Sequence, residues 1–156
     1  MLTGWGRKFS NFIRRFPKMM IIPYYAYRFI QPKYSVGVIG VVINSQDEIL
    51  LVEHASHPRR PWGLPGGWIG RNEDPASAVS REFYEELGIR VQVVQILKIE
   101  KTQRNHLDLA FLCSTEDVIQ KMSFELLAYQ WFQRQSLPSL HPFHLSAIQE
   151  AYEALA

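Results

Sequence analysis

The chain has 156 residues, enough for one domain with its own core, and its 47% hydrophobic and 21% charged content excludes a disordered polymer. The lone cysteine, Cys113, excludes an intramolecular disulfide and a cysteine-built metal site, which suits a reducing, cytoplasmic setting. A net charge of +2 hides a split: seven basic residues and no acid precede Asp47, while ten basic and fifteen acidic residues make up the remainder. A part carrying +7 is thus joined to a part carrying −5.

Over residues 5–18, Trp5, Phe9, Phe12, Ile13 and Phe16 fall at helical spacing, with Arg7, Lys8, Asn11, Arg14 and Arg15 on the other side. A basic helix is expected there, ended by Pro17. The apolar run at residues 19–22 is too short to cross a membrane and meets Pro23, and no secretory signal is legible. An arm over residues 1–33 of this kind packs its aromatics on its own domain or on a twin subunit in a homodimer. The sharper alternatives are that it lies on an anionic membrane surface or on RNA, or is a cleaved organelle presequence. The pattern leaves these open.

From Tyr34 the texture changes, and residues 34–156 are expected to form one α/β domain. Two β-branched runs, "YSVGVIGVVIN" and "EILLVEH", read as strands around a turn. The Pro/Gly-punctuated "HPRRPWGLPGGW" reads as a loop. Asp74-Pro75 is an N-cap followed by proline at the first helical position, and the helix runs to Leu87 with Gly88 as its stop. Then "IRVQVVQILKIEK", "HLDLAFLCS" and "LAYQWFQ" read as strands, and "PFHLSAIQEAYEALA" as a closing helix.

The central helix carries the chemistry. On a wheel with Glu82 at zero, Glu86 lies at about +40° and Glu85 at about −60°. Ala76, Val79, Phe83 and Leu87 form the adjoining core face. A solvated acidic face is the ordinary reading of such a stripe. Two costs oppose it here: like charges three and four residues apart repel by about 0.2–0.5 kcal/mol per pair. Acids in a last turn also meet the negative helix end, at about 0.3–1 kcal/mol each. A bound cation reverses both signs. Arg81 points about 100° from Glu82 but reaches Glu85 or Glu73. An oxygen-only donor set suits Mg²⁺ or Mn²⁺, which shares phosphate oxygens with a substrate.

Gly67, five residues, Glu73, seven residues, then "REFYEELGI" at residues 81–89 resembles the complete Nudix box, with all seven fixed positions present. Phe83 departs mildly, because the family usually has an aliphatic residue there. The resemblance implies an α/β/α sandwich with a mixed sheet and hydrolysis of a nucleoside diphosphate linked to another moiety. It implies that Glu82, Glu85 and Glu86, with the Gly67 carbonyl, hold divalent ions, and that Glu73 pairs with Arg81. A water held by the metals would attack phosphorus. The proton acceptor is a box glutamate such as Glu85 or Glu82, or a later loop acid, for which Glu125 is the candidate. The alternative is a Nudix-fold module that binds a nucleotide with little turnover; three intact acids favour hydrolysis.

Arg59 and Arg60, with His54 and His57, are candidates for gripping phosphate, against a solvated basic loop. Trp62 is expected in the core, and His106 and Asp108 are expected to be structural. His141 and His144 carry no expectation. No subfamily mark for ADP-ribose, dinucleoside polyphosphates or coenzyme A is apparent.

Overall fold

The computed structural model describes residues 4–56 and 58–156 and divides into two compact units, Met1–Lys33 and Tyr34–Ala156. In the first unit, helix α1 spans Gly4–Arg15, with Arg14 and Arg15 in its last turn, where cations complement the helix dipole. The Phe12 and Phe16 rings meet at 5.3 Å. The side chains of Trp5 and Phe9, expected on the same stripe, lie outside the described residues. A 3₁₀ turn, Pro17–Met20, leads into a second helix, α2, Ile21–Ile30, with no buried residue. Helix α2 was not anticipated. Pro23 sits in its first turn, where a missing N–H costs nothing.

The second unit is a layered α/β domain. Strands β1 (Ser35–Val42), β4 (Gly66–Trp68), β5 (Gln92–Gln103) and β6 (His106–Ser114) form a mixed sheet in the order β4-β1-β6-β5. In it, β1 runs parallel to β6 and antiparallel to β4. Strands β2 (Glu48–His54), β3 (Trp62–Gly63) and β7 (Leu126–Gln133) form an antiparallel sheet with β2 in the middle. An Ile43–Ile49 bridge ties β1 to β2 across the Asp47 turn. The short strands β3 and β4 lie inside the stretch expected to be a loop.

Strand periodicity divides the core into two faces. Val38, Val42, Leu50, Val52, Leu109 and Phe111 pack with Ala78, Val79, Phe83 and Leu87 of helix α3 (Pro75–Leu87). The alternate residues Ile39, Val41, Ile49, Leu51, Ala110 and Leu112 pack with Phe143, Ala147, Ile148 and Ala151 of helix α4 (Pro142–Leu155). Helix, sheet and helix therefore stack as an α/β/α sandwich. Phe83 is fully buried. It fits because Gly40 faces it: a Cβ on Gly40 would come within 2.3 Å of the Phe83 ring. The departure from an aliphatic residue is absorbed by a missing side chain opposite.

The edge strand β5 pairs with β6 through three register shifts, after Val93, Ile96 and Glu100. Cys113 is buried, and burial pushes its thiol up to about 12, so it carries no thiolate chemistry at neutral pH.

Candidate active site

Asp74 caps α3 by accepting the N–H groups of Ala76 and Ser77, and Gly88 ends the helix in the left-handed conformation (φ 68°). These two signals fix the helix in register, and register decides where its acids point. Glu86 faces inward at 6% exposure, the Glu82 side chain is 14% exposed, and that of Glu85 is 57% exposed. The acids thus rim the buried face, with the deepest one at the dipole's negative end.

Strand β4 brings the backbone to meet them. The Gly66 N–H donates to Glu86 Oε2 at 3.1 Å. Gly66 holds φ 154°, and a Cβ there would strike the Val38 carbonyl oxygen at 2.1 Å. A Cβ on Gly67 would lie 2.4 Å from Glu82 Oε1. Only a bare backbone lets the Gly66-Gly67 strand and the two carboxylates share this space.

Arg81 organises the outer part. Its Nε donates to Glu73 Oε1 at 2.7 Å and its Nη2 to Glu73 Oε2 at 3.1 Å, a two-pronged pair that pins the loop between β4 and α3. Its Nη2 also donates to the Trp68 carbonyl. Nη1 donates to Glu85 Oε2 at 2.8 Å and to Glu82 Oε1 at 2.9 Å. The contact with Glu82 corrects the wheel, which set the two about 100° apart; a long guanidinium arm spans that angle. The Arg81 hydrogen bonds, aided by the Gly70 N–H, pull the Glu73 carboxyl down to about 2.

Glu86 lies at the opposite extreme. Burial pushes its carboxyl from 4.5 up to about 8, the Gly66 N–H opposes that rise, and the Glu82, Glu125 and Glu85 charges add to it. Burial likewise raises Glu82, against the pull of Arg81. Glu125 is exposed in the loop before β7. That loop is stitched to the site, since the Ser123 N–H donates to the Glu86 carbonyl at 2.8 Å and the Ala55 N–H to the Glu125 carbonyl at 3.0 Å. The structure thus brings Glu73, Arg81, Glu82, Glu85, Glu86, Gly67 and Glu125 into one region.

A cavity of about 740 Å³ opens beside this region, with Arg59, Arg60, Trp62, Thr102, His106 and His141 among its walls. Trp68, next to Gly67, packs on His106 at 4.8 Å between ring centroids and links cavity to acids. Arg59 and Arg60 are exposed in the turn after β2 and line the cavity. His57 lies outside the described residues. Trp62 meets Phe132 edge-on at 5.0 Å and packs on the core as expected, but it also presents to the cavity. His106 sits between Ser35 and Asp108, whose other oxygen takes the Thr102 hydroxyl. The His144 Nδ1 accepts the Leu64 N–H, and His141 caps α4. Sequence reasoning missed the cavity role of His106, Asp108, His141 and His144. They come from separate segments, and only the fold assembles them.

The donor chemistry fits a hard divalent ion: oxygen atoms only, one buried carboxyl in no salt bridge among the described residues, and a backbone cleared of side chains at Gly67. Among the described residues, no three acidic, histidine or cysteine side chains converge as a finished cage. Arg81 has drawn Glu82 and Glu85 onto itself instead.

The NUDIX domain model matches residues 33–152. A MutT-like protein of Streptomyces ambofaciens is 36% identical over 101 residues, 64% of each chain. An 8-oxo-dGDP phosphatase of Mus musculus is 32% identical over 107 residues, covering 65% of this chain and 33% of that protein. The chain therefore spans less than two thirds of the length of these curated relatives. An ADP-ribose pyrophosphatase structure from Streptococcus suis superposes with a TM-score of 0.65 over 78% of this chain and 92% of that one, at 24% identity, and supports the fold. Geometry, box and family match agree: the chain belongs to the NUDIX domain family.

Proposed function

We propose that the domain is a Mg²⁺- or Mn²⁺-dependent pyrophosphohydrolase that cleaves a nucleoside diphosphate linked to another moiety. The observation that carries this reading is Glu86, a buried acid with one backbone hydrogen bond and three neighbouring negative charges. A structural helix has no use for it; a cation site does. The relatives' names support the substrate class, since 8-oxo-dGDP and ADP-ribose both contain a phosphoric anhydride.

Glu82, Glu85 and Glu86, with the Gly67 carbonyl, would hold the ions. Bound there, a divalent ion supplies charge neutralisation to the pyrophosphate and acidity to a coordinated water. The chain's own residues do the rest. Arg81 and Glu73 hold the β4–α3 loop so that the Gly67 backbone stays against Glu82. Glu125, exposed, in no salt bridge among the described residues and outside the ion-holding set, would accept the proton from the attacking water. Arg59 and Arg60 grip phosphate at the cavity rim, and the cavity receives the nucleoside or its partner group.

The test is a nucleotide- and phosphate-release screen over a panel of such diphosphates with Mg²⁺ or Mn²⁺, run beside Glu86→Gln. The variant is expected to lose ~10²-fold or more in kcat. A variant as active as wild type removes the metal assignment. A chain that binds a panel nucleotide but turns none over is instead a binding module.

A further inference from the structure

None of the site residues named above belongs to the unit Met1–Lys33, whose second helix exposes large apolar side chains. Helix α2 reads IIPYYAYRFI and buries no residue. Ile22, Phe29 and Ile30 are each 79–80% exposed. With Ile22 at zero on a helical wheel, Tyr25, Ala26, Phe29 and Ile30 fall within about 80° of it, whereas Tyr24, Tyr27 and Arg28 lie about 120–160° away. An aliphatic and aromatic stripe is therefore flanked by tyrosine hydroxyls and a guanidinium. Around it the unit holds seven basic residues and no acid.

We propose that this unit is a surface anchor that lays α2 side-on into a lipid bilayer bearing anionic headgroups. Charge complementarity selects this occupant. A second copy of the arm would bring seven more cations against the first. An RNA would engage Arg28 but gain nothing from Ile22, Phe29 and Ile30, the most exposed hydrophobic side chains of α2. A bilayer surface satisfies both halves: acyl chains take the stripe, tyrosines sit at headgroup level, and lipid phosphates face Arg14, Arg15, Lys18 and Lys33. The helix lies on the membrane and does not span it. At 1.5 Å per residue it is about 15 Å long, half the hydrocarbon thickness, and no described helix is long and apolar enough to cross.

The experiment is cosedimentation of the full chain with vesicles of phosphatidylcholine alone or with one third phosphatidylglycerol. Wild type is expected in the pellet with the anionic vesicles and in the supernatant with the neutral ones. Each basic residue near the surface contributes about fivefold to partitioning, so Arg14→Gln with Arg15→Gln lowers it by roughly 30-fold. Phe29→Ser with Ile30→Ser lowers it at least about tenfold. An unchanged melting temperature shows that these variants fold. Wild type in the supernatant throughout, or variants that sediment like wild type, overturns the proposal. So does a Phe29→Ser, Ile30→Ser protein that falls from dimer to monomer with vesicle binding unchanged, which makes the stripe an assembly surface. Retention of poly(U) RNA by wild type and the α2 variant alike, without vesicle binding, also overturns it.

Discussion

Glu86 joins stability to pH and to metal. Its folded carboxyl titrates near 8 against 4.5 for an exposed one, so between those values the folded chain holds a proton that the unfolded chain has lost. Stability from this group is greatest below about 4.5, where both states hold the proton, and declines as pH rises from there towards 8. Chelator-treated protein is therefore expected to melt at progressively lower temperature across that window, and Glu86→Gln to flatten the slope, as read by calorimetry. Protons and cations compete for the same oxygens, so Mg²⁺ affinity should weaken as pH falls below 8. Equal affinity at pH 6 and pH 8 would contradict that. The same crowding applies at Gly67, where an alanine methyl would collide with the Glu82 carboxylate. Gly67→Ala is expected to reduce divalent-ion binding by calorimetric titration while leaving the Glu73–Arg81 pair in place.

Helix α3 positions the acids, and its two ends and its core face can be tested separately. Asp74→Ala removes the side-chain acceptor for two orphan N–H groups and should cost about 1 kcal/mol in denaturant unfolding. Gly40→Ala pushes a methyl into the Phe83 ring and should cost about 1–3 kcal/mol, with much of that recovered by adding Phe83→Leu. Additive losses in the double variant would refute this pairing. The caps, the period of the apolar face and the box were all legible in the chain, because each is a local pattern written within one element. Helix α2 was not legible: eight of its ten residues are apolar or aromatic and Arg28 is its one charged residue, so the contrast between its faces is too weak to announce the period. Strands β3 and β4 were hidden for a different reason. Two or three residues rich in glycine carry no alternation, and these segments are strands only because β2 and β1 offer them edges. The cavity was illegible throughout, since its histidines meet only after three separate stretches of chain converge.

At the scale of the whole chain, charge is distributed by unit. Limited trypsin cleavage at the exposed Lys33 should release a body of net charge −5 that binds an anion exchanger at pH 7, where the intact chain, at +2, passes through. A released body that also passes through would show that the acids are neutralised within it. The sheets pose a further problem for any chain that accumulates in a cell. Strand β5 is twelve residues long, lies at the margin of its sheet and exposes Val94, Ile96 and Ile99. A straight strand of this composition would template fibre growth. Because its pairing slips three times, it never offers a neighbouring molecule a ladder long enough to copy, and trimming those extra residues should turn a dispersed protein into one that gels.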